Sequence, residues 1–271
     1  MLLLVDLDGV VYRGADAVPG VADVLSRRAA AGDRVIYVTN NSRSHRDEYR
    51  VRLLGHGVPL PDGEENIVTA ARATAVLLSE REPRPRVAMV FGGPGLAREL
   101  REAGLRTVPP NPRGLAAAPD ALVVGVDFGL SYERLSIAAE AVRRGAFFVA
   151  TNRDPIYPAE EGLKAGAGAI VAAVALAAGR EPDLVVGKPE PRLFEAAAEI
   201  CSVPAREAVV IGDGLLTDIR AANAIGARSV LMLTGVTTAA ELERATDGIR
   251  PTAVARDAAD LERILEELAT A

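Results

Sequence analysis

The stretch MLLLVDLDGVVYRG (Met1–Gly14) governs how the rest of the chain is interpreted. Its apolar run Leu2–Val5 is typical of a strand that is buried on both faces. The run ends in Asp6-Leu7-Asp8-Gly9, where alternation along a strand directs both aspartates to the same side. Two carboxylates at the end of a buried strand cost free energy unless something compensates them. Mg²⁺ would do so, because it prefers oxygen ligands and keeps waters that a phosphate group can displace.

The same two aspartates also have a purely structural explanation. An Asp side chain at the end of a strand can accept hydrogen bonds from nearby backbone amides and so form a turn. This stretch alone therefore leaves a turn and a catalytic site open, and other parts of the chain must distinguish them.

The composition is that of a globular protein with a sizeable core. The chain has 271 residues, of which 49% are hydrophobic and 25% charged, which fits one large domain or a core with one insertion. The formal net charge of -6, without a long Lys/Arg run, argues against nucleic acid as the main partner. Short basic pieces such as Arg84-Pro85-Arg86 still leave room for a local pocket that binds a phosphorylated metabolite. Cys201 is the only cysteine, which excludes an intrachain disulfide and a zinc site built from several thiolates.

The amino terminus leads directly into the first apolar run, without the basic region or cleavage site of a secretory signal. The sequence contains no apolar run of the length that a membrane-spanning helix needs. We therefore expect a cytoplasmic protein with no membrane partner.

Apolar strand-like runs alternate with helical spacing along the chain. Residues 21–31 have helical spacing and Val35–Val38 is a second buried run, which predicts a parallel strand–helix–strand unit. Further strands are predicted at 87–91, 121–126, 147–150, 184–187, 208–211 and 229–233. Further helices are predicted at 45–54, 66–80, 95–103, 131–143, 166–178, 190–200, 219–225 and 258–268. The Pro/Arg-rich stretch Glu82–Arg86 interrupts this alternation of strands and helices and predicts a domain boundary.

The second strand runs into Thr39-Asn40-Asn41-Ser42, a polar strand end like the first. In open parallel sheets, ligands bind beyond the carboxyl ends of the strands, so both ends are expected to face one crevice. The Thr39 hydroxyl and the backbone amides that follow it suit phosphate oxygens. Alternatively, Ser42 or Ser44 caps the helix predicted at 45–54. The two interpretations are compatible, because a helix amino terminus also attracts anions.

Two later strand ends supply the remaining charged groups. One leads to Lys188-Pro189, and the strand at 208–211 leads to the sequence GDGLLTD, which contains Asp213 and Asp218. Taken singly, Lys188 fits a solvated surface lysine, and the two aspartates fit a turn and a helix cap. The four strand ends together provide carboxylates, a hydroxyl and a lysine, which is the set that phosphoryl transfer needs. One carboxylate can act as the nucleophile and another as the general acid and base.

The block between the second and third of these strand ends has polar strand ends of its own. Asp127 and Asp154 each follow one of its predicted strands. Both fit a turn-forming role as well as a role that faces the substrate. His45 and His56 lie on or beside the polar helix after Thr39, and no other residue pairs them as metal ligands in the sequence, so we expect ordinary packing or surface roles.

These motifs resemble those of the haloacid dehalogenase-like superfamily of aspartate-nucleophile phosphohydrolases. The sequence DLDGV at Asp6–Val10 resembles the first motif, Thr39 the second, Lys188 the third, and Gly212-Asp213 with Asp218 the fourth. The chain also resembles the branch of NagD-like and 4-nitrophenyl phosphatases. That likeness lies in VVYRG at Val10–Gly14, GVD at Gly125–Asp127, TNRDPIYP at Thr151–Pro158 and GAGAI at Gly166–Ile170.

The resemblance implies a set of reactive and metal-binding residues. Asp6 would be the nucleophile, and Asp8 would be the general acid and base. Mg²⁺ would be held by Asp6, by the backbone carbonyl of Asp8 and by Asp213. Asp218 would support the metal ligands without binding the metal itself.

The resemblance also implies a set of substrate-binding residues. Thr39, the amide of Asn40 and Lys188 would bind the phosphoryl oxygens. Asn152 and Asp154 would help to bind and select the rest of the substrate.

The fold implied by the resemblance is α/β, with a Rossmann-like, doubly wound parallel sheet as its core and an inserted α/β cap domain. The core would comprise residues 1–82 and 185–271, and the cap residues 83–184. Relatives often dimerise through the cap, so a homodimer through the cap is expected by analogy.

The resemblance implies a Mg²⁺-dependent phosphatase that hydrolyses small phosphomonoesters through an aspartyl-phosphate intermediate. Glycerol 3-phosphate, phosphoglycolate and nucleoside monophosphates are substrates within this branch. An alternative is a phosphotransferase or mutase that acts on a sugar phosphate. A non-catalytic metabolite-binding protein is disfavoured, because Asp6, Asp8, Lys188 and Asp213 are all present.

Overall fold

Strands and helices alternate along the chain, as the apolar runs predict. The computed structural model describes residues 1–58, 60–61, 65–159 and 162–270. The strands are β1 Leu2–Asp6, β2 Tyr12–Arg13, β3 Asp16–Ala17, β4 Arg34–Thr39, β5 Ile67–Thr69, β6 Val87–Phe91, β7 Arg106–Val108, β8 Ala121–Val124, β9 Phe147–Ala150, β10 Ile156–Ala159, β11 Gly162–Ala165, β12 Leu184–Val185, β13 Ala208–Gly212, β14 Arg228–Met232 and β15 Ala253–Ala255. The helices are α1 Val21–Ala30, α2 Arg46–Gly55, α3 Ala70–Glu80, α4 Pro94–Glu102, α5 Pro112–Ala116, α6 Tyr132–Arg143, α7 Ala167–Ala178, α8 Arg192–Ile200, α9 Arg220–Ala224, α10 Ala239–Glu243 and α11 Ala258–Thr270.

The described residues divide into two compact units. Residues 1–39, 47–68 and 188–271 form the core unit, and residues 40–46 and 69–187 form the inserted unit. This division differs from the predicted domain boundaries at 82 and 185, because α3 packs against α4 and groups with the inserted unit. The predicted boundaries stay predictions, and their ranges include residues 59, 62–64, 160–161 and 271, which lie outside the described residues.

A six-stranded sheet in the order β15-β14-β13-β1-β4-β5 forms the centre of the core unit. Strand β1 pairs in parallel with β4 on one side and with β13 on the other. All five residues of β1 are buried, as expected for a strand covered on both faces. The next strands of this sheet along the chain, β4 and β5, lie on one side of β1, and the later strands β13, β14 and β15 lie on the other side. The carboxyl ends of β1, β4 and β13 therefore lie side by side, which is where open α/β sheets bind ligands.

Helices cover this sheet with their apolar faces. Leu25 of α1 and Leu265 of α11 belong to one buried cluster with Val5, Tyr37 and Ile211 from the central strands. This packing positions the strand ends and leaves their polar residues beyond the apolar layer. The sheet therefore provides a rigid base for a site built at its carboxyl edge.

The inserted unit has a parallel five-stranded sheet of its own, in the order β12-β9-β8-β6-β7. Its core contains Phe91, Leu122 and Phe148 from the strands and Val142 and Val174 from α6 and α7. Strands β10 and β11 form a separate antiparallel pair. The alternation predicted for this block is thus confirmed as a second α/β unit.

Two local predictions are corrected. The helix predicted at 66–80 begins at Ala70, because the β-branched run Ile67–Thr69 forms β5 and Thr69 then accepts a hydrogen bond from the Arg72 amide at 3.0 Å as the helix cap. Neither Ser42 nor Ser44 caps α2, which begins at Arg46. The Ser42 hydroxyl instead accepts a hydrogen bond from the Thr151 hydroxyl at 2.9 Å.

None of the helices formed by the described residues combines the length and the apolar character that a membrane crossing requires.

Candidate active site

A buried lysine joins two aspartates at the carboxyl edge of the core sheet. The Lys188 ammonium donates to Asp6 Oδ1 at 2.6 Å and to Asp218 Oδ1 at 2.7 Å. The three side chains are almost completely buried. Asp6 ends β1, Lys188 is the first residue of the last chain segment in the core unit, and Asp218 lies in the helical turn Leu215–Ile219 after β13. The fold therefore unites three groups that lie far apart in the sequence.

The charges of these three groups depend on one another. Burial raises the pKa of the Asp6 carboxyl well above its usual value, Lys188 opposes this, and Asp218 and Asp213 add to it. Burial lowers the pKa of the Lys188 ammonium, but Asp218 and Asp6 outweigh that effect and raise it above its usual value. Lys188 is therefore a permanent cation that stabilises the negative charge of Asp6.

Asp213 is held at the end of β13 by a neighbouring loop. Its Oδ2 accepts a hydrogen bond from the Val236 amide at 2.7 Å, and its backbone carbonyl accepts one from the Thr237 hydroxyl at 2.5 Å. Burial and the nearby Asp218 raise the pKa of Asp213 to about 6. Thr237 was not among the predicted site residues, although it lies in the polar sequence that follows β14, the strand beside β13.

Asp8 lies beyond the end of β1 and is exposed, unlike Asp6. Gly9 follows with a φ of 81°, and its amide donates to the Tyr12 carbonyl at 2.7 Å, which closes a tight turn. Desolvation by the surrounding protein raises the pKa of the Asp8 carboxyl, and the charges of Arg52 and Lys188 oppose this. The turn therefore separates a buried aspartate from an accessible one, as two different chemical roles require.

Thr39 occupies the end of the strand next to Asp6. Asp6 pairs with Val38 across the parallel strands, so Thr39 follows directly at the same edge, where it is buried. Within the core unit, the fold therefore brings together all six of the predicted residues Asp6, Asp8, Thr39, Lys188, Asp213 and Asp218. Their proposed roles remain predictions.

The donor set fits a divalent cation. Asp6, Asp213 and Asp218 each offer a carboxylate oxygen, and these oxygens lie within 4.8 Å of one another. Among the described residues, none donates a hydrogen bond to Asp6 Oδ2, which leaves that oxygen for a ligand. Both oxygens of Asp218 accept hydrogen bonds from Lys188, Gly214 and Thr217, which suits a supporting residue. Carboxylate oxygens at an anionic site match the preferences of Mg²⁺.

Comparison with known proteins identifies the family. The model of the haloacid dehalogenase-like hydrolases matches residues 3–106, and the model of HAD-hydrolase-like proteins matches residues 185–261. The D-glycerol 3-phosphate phosphatase of Mycobacterium tuberculosis is 38% identical over 99% of this chain and 73% of its own length. The chain belongs to the haloacid dehalogenase-like hydrolases.

Solved structures agree with this assignment. The glycerol phosphate phosphatase of Mycobacterium tuberculosis in complex with magnesium matches with a TM-score of 0.85 at 37% identity, over 96% of this hydrolase and 75% of that chain. The p-nitrophenyl phosphatase of Archaeoglobus fulgidus matches with a TM-score of 0.87 at 34% identity, over 97% and 98% of the two chains. The hydrolase belongs to the NagD-like and 4-nitrophenylphosphatase branch, and it is a phosphoric monoester hydrolase.

Two glycines of the hydrolase make room for Asp213. A Cβ atom added to Gly235 would lie 1.8 Å from Asp213 Oδ2, and one added to Gly9 would lie 2.1 Å from the same atom. The Thr234 hydroxyl donates to the Gly9 carbonyl at 2.6 Å and so connects the two loops. The position of the Asp213 carboxylate therefore depends on the absence of side chains at both positions.

The variant Gly235→Ala should weaken the response of the hydrolase to Mg²⁺. Its methyl group would push Asp213 out of place, so the Mg²⁺ concentration for half-maximal activity should rise about tenfold or more. Gly248→Ala is the matched control, since a Cβ atom there meets nothing within 4 Å. Activity is titrated with Mg²⁺ after thermal melting shows that both variants fold. An unchanged Mg²⁺ response in folded Gly235→Ala would contradict this role of Gly235.

The predicted substrate residues of the inserted unit bind one another. The Asn40 side-chain amide donates to both carboxylate oxygens of Asp154, at 3.1 and 3.0 Å. Asn152 donates to the Asn40 carbonyl at 2.7 Å, and its Oδ1 accepts from the Asp154 amide at 3.0 Å. Asn40 directly follows Thr39 in the chain, so this cluster braces the residue next to a predicted phosphate ligand. Direct binding of substrate by Asn152 and Asp154 stays a prediction.

Asp127 has the geometry of a turn former. Its Oδ1 accepts a hydrogen bond from the Gly129 amide at 2.7 Å, and its other oxygen pairs with Arg134. Of its two interpretations, these contacts support the structural one.

A second ionisable cluster lies in the inserted unit. His45 Nε2 lies 3.3 Å from Glu99 Oε1 and 3.3 Å from Glu102 Oε2. Arg46 pairs with both glutamates and Arg98 pairs with Glu102 at 2.8 Å, so two side-chain cations balance the two carboxylates. His56 packs against the ring of Tyr12, with 5.5 Å between the centroids. His45 thus lies beside two glutamates, and His56 has a packing partner.

Proposed function

We propose that this hydrolase transfers the phosphoryl group of a small phosphomonoester first to Asp6 and then to water. It is a phosphatase that acts on small phosphorylated substrates and uses Mg²⁺. The observation that carries the proposal is the hydrogen bonding of the two carboxylate oxygens of Asp6. One of its oxygens accepts from Lys188, and the other accepts no hydrogen bond from the described residues, which suits a nucleophile.

In the first step, the carboxylate oxygen of Asp6 that does not bind Lys188 attacks phosphorus, and the bond from phosphorus to the ester oxygen breaks. The carboxyl group of Asp8 gives its proton to that oxygen, so the leaving group departs as an alcohol. The exposed position of Asp8, beyond the buried Asp6, suits a group that meets the leaving side of the substrate. The product of this step is an acyl phosphate on Asp6.

In the second step, water attacks the phosphorus of that acyl phosphate. Asp8, now ionised, takes a proton from the water, and the bond between phosphorus and Asp6 breaks. Inorganic phosphate leaves, and both aspartates return to their starting states. One group thus serves as acid and then as base.

Side chains of the core unit hold the charge of the phosphoryl group. Lys188 and the Thr39 hydroxyl would donate to its oxygens, together with the amide of Asn40, the residue after Thr39. Asp6, the Asp8 carbonyl and Asp213 would hold Mg²⁺, and Asp218 would orient Lys188 and the loop after β13. Mg²⁺ held there would supply positive charge beside the phosphoryl oxygens, so that the anionic Asp6 carboxylate and the anionic phosphate could approach each other.

Small polyol phosphates are the substrate class that we favour, with glycerol 3-phosphate first. The relative from Mycobacterium tuberculosis that matches 99% of this chain is named a D-glycerol 3-phosphate phosphatase. Phosphoglycolate and nucleoside monophosphates are the next candidates. A homodimer through the inserted domain and a cytoplasmic location stay predictions of the sequence.

Phosphate release from a panel of phosphomonoesters tests the proposal, with Mg²⁺ and with excess chelator. We expect turnover with Mg²⁺ that chelator abolishes and that added Mg²⁺ restores. The panel contains glycerol 3-phosphate, phosphoglycolate, a nucleoside monophosphate and 4-nitrophenyl phosphate. Turnover that survives chelation would contradict the proposed metal role.

The same assay with an added sugar acceptor tests the alternative of a phosphotransferase or mutase. A phosphatase releases phosphate at the rate at which the ester is consumed. Transfer to the acceptor that exceeds phosphate release would favour the alternative. Thr39→Val is a useful companion variant, because it removes a proposed phosphate ligand and should raise KM.

A further inference from the structure

The Pro/Arg-rich stretch Glu82–Arg86, which the catalytic site does not use, lines a cleft in the inserted unit. The cleft has a volume of about 530 Å³, within the range of small-molecule sites. Its walls include four arginines and the ring of Phe147. The arginines are Arg81, Arg84, Arg144 and Arg180.

The cleft lies at the amino ends of the strands of the inserted unit. Phe147 begins β9, and Asp120, also on its wall, precedes β8. The cluster of Asn40, Asn152 and Asp154 lies at the opposite ends, because Asn152 follows β9. Within this unit, the cleft is therefore separate from the predicted substrate residues.

The cleft has an excess of positive charge. Arg144 pairs with Glu140 at 2.8 Å, and Arg180 pairs with Asp183. Within the part of the chain that the structure describes, no carboxylate oxygen lies within 4.0 Å of the side-chain nitrogens of Arg81 or Arg84.

The one carboxylate on the wall is already engaged. Asp120 Oδ2 accepts hydrogen bonds from the backbone amides of Arg86 and Val87, both at 2.8 Å. Asp120 therefore makes no ion pair with the arginines of the cleft.

The two arginines without an ion pair are held in place by other contacts. The guanidinium carbon of Arg81 lies 3.9 Å from the centre of the Phe147 ring, and Arg84 donates to the Ala103 carbonyl at 2.6 Å. Neutralising a helix end explains Arg84, which donates to the carbonyl of Ala103 directly after α4. It does not explain Arg81, whose guanidinium is stacked on an aromatic ring at the wall of the cleft. A stacked guanidinium keeps its donor edge free and loses little freedom when it binds an oxyanion.

We propose that this cleft is a second anion site, which binds a small molecule carrying two or more phosphate groups. Arg81 and Arg84 would bind the phosphate oxygens, and Arg144 and Arg180 would border them. Forked guanidinium groups match the oxygens of phosphate, and more than one phosphate suits the size of the cleft and its two unpaired cations. The ligand would bind there without being hydrolysed.

Isothermal titration of pyrophosphate into the full chain, with excess chelator, tests the site. Without Mg²⁺, the active site presents Asp6, Asp8, Asp213 and Asp218 against one lysine and repels a polyanion. We expect saturable binding that the double variant Arg81→Gln/Arg84→Gln weakens about tenfold or more. Arg101→Gln/Arg113→Gln is the matched control, since it removes two exposed arginines of the same unit outside the cleft, and it should bind like the parent.

Arg144→Gln/Arg180→Gln provides a second test of the same cleft, and thermal melting checks that all three double variants fold. Equal affinity in the cleft variants and the control variant would overturn the proposal. So would binding that Thr39→Val abolishes, because the ligand would then occupy the active site. Absence of saturable binding at millimolar pyrophosphate would overturn it as well.

Discussion

Replacing Asp6 with asparagine is expected to reduce Mg²⁺-dependent turnover about 10⁴-fold or more. Asparagine has nearly the same shape, but its amide is a poor nucleophile and cannot form the acyl phosphate. It also removes one negative charge from the proposed Mg²⁺ ligands. The measurement is kcat for phosphate release from the best substrate of the panel at saturating Mg²⁺.

Asp23→Asn is the control for this change, because Asp23 is an exposed aspartate on α1 of the same unit. It should keep the activity of the parent. Mass spectrometry after acid quench adds an independent readout, since the parent should carry a phosphoryl group on the Met1–Gly14 region and Asp6→Asn should not. Turnover by Asp6→Asn within tenfold of the parent would exclude Asp6 as the nucleophile.

Replacing Lys188 with methionine is expected to lower both activity and the free energy of unfolding. Lys188 lies between the carboxylates of Asp6 and Asp218, at 2.6 and 2.7 Å, and all three are buried. Methionine fills similar space but leaves two buried carboxylates without a cation. The loss should be about 3–5 kcal/mol, because removing one partner from a buried ion pair leaves an uncompensated charge. Urea unfolding in excess chelator measures it without a contribution from bound metal.

The chain provides an unusually clean control for this change. Its only lysines are Lys164 and Lys188, and nearly all of its 31 basic residues are arginines. Lys164 lies on the exposed strand β11, so Lys164→Met should change the free energy of unfolding by about 0.5 kcal/mol or less. Equal stability of the two methionine variants would show that the ion pairs of Lys188 do not support the fold.

Lys188→Arg distinguishes the need for a compact charge from the need for any charge. The guanidinium group is larger than an ammonium group and planar, and the buried space between Asp6 and Asp218 fits one nitrogen. We therefore expect Lys188→Arg to have lowered activity, as Lys188→Met does. Full activity in this variant would mean that the site adapts to a forked cation.

The positions of the candidate site residues in the core unit could be predicted because their signals are local. Each lies where an apolar run stops and a polar sequence begins, as with Asp6 after β1 and Thr39 after β4. Parallel strands end at a common edge, so four such ends in one chain predict a shared site without knowledge of any contact. The resemblance to a known family then supplied a role for each residue.

The residues that position these side chains could not be predicted, because they come from distant parts of the chain. Thr237 and Gly235 position Asp213, but neither lies next to a catalytic motif. The pairing of Asn40 with Asp154 joins residues 114 positions apart, and the sequence assigned both to the substrate. The β-branched run Ile67–Thr69 was predicted as the start of a helix, because helical spacing continues from α3 and only strand pairing distinguishes the two.

The sequence by itself determined the class of fold, the strand ends that carry the candidate catalytic groups and the family of the hydrolase. These follow from short-range patterns, since burial periodicity and strand-end motifs are properties of neighbouring residues. Only the tertiary structure decided that Lys188 joins Asp6 to Asp218, that glycines make room for Asp213, and that arginines line a cleft in the inserted unit. These features require atoms from distant segments to meet within a few ångströms, which chain folding alone brings about.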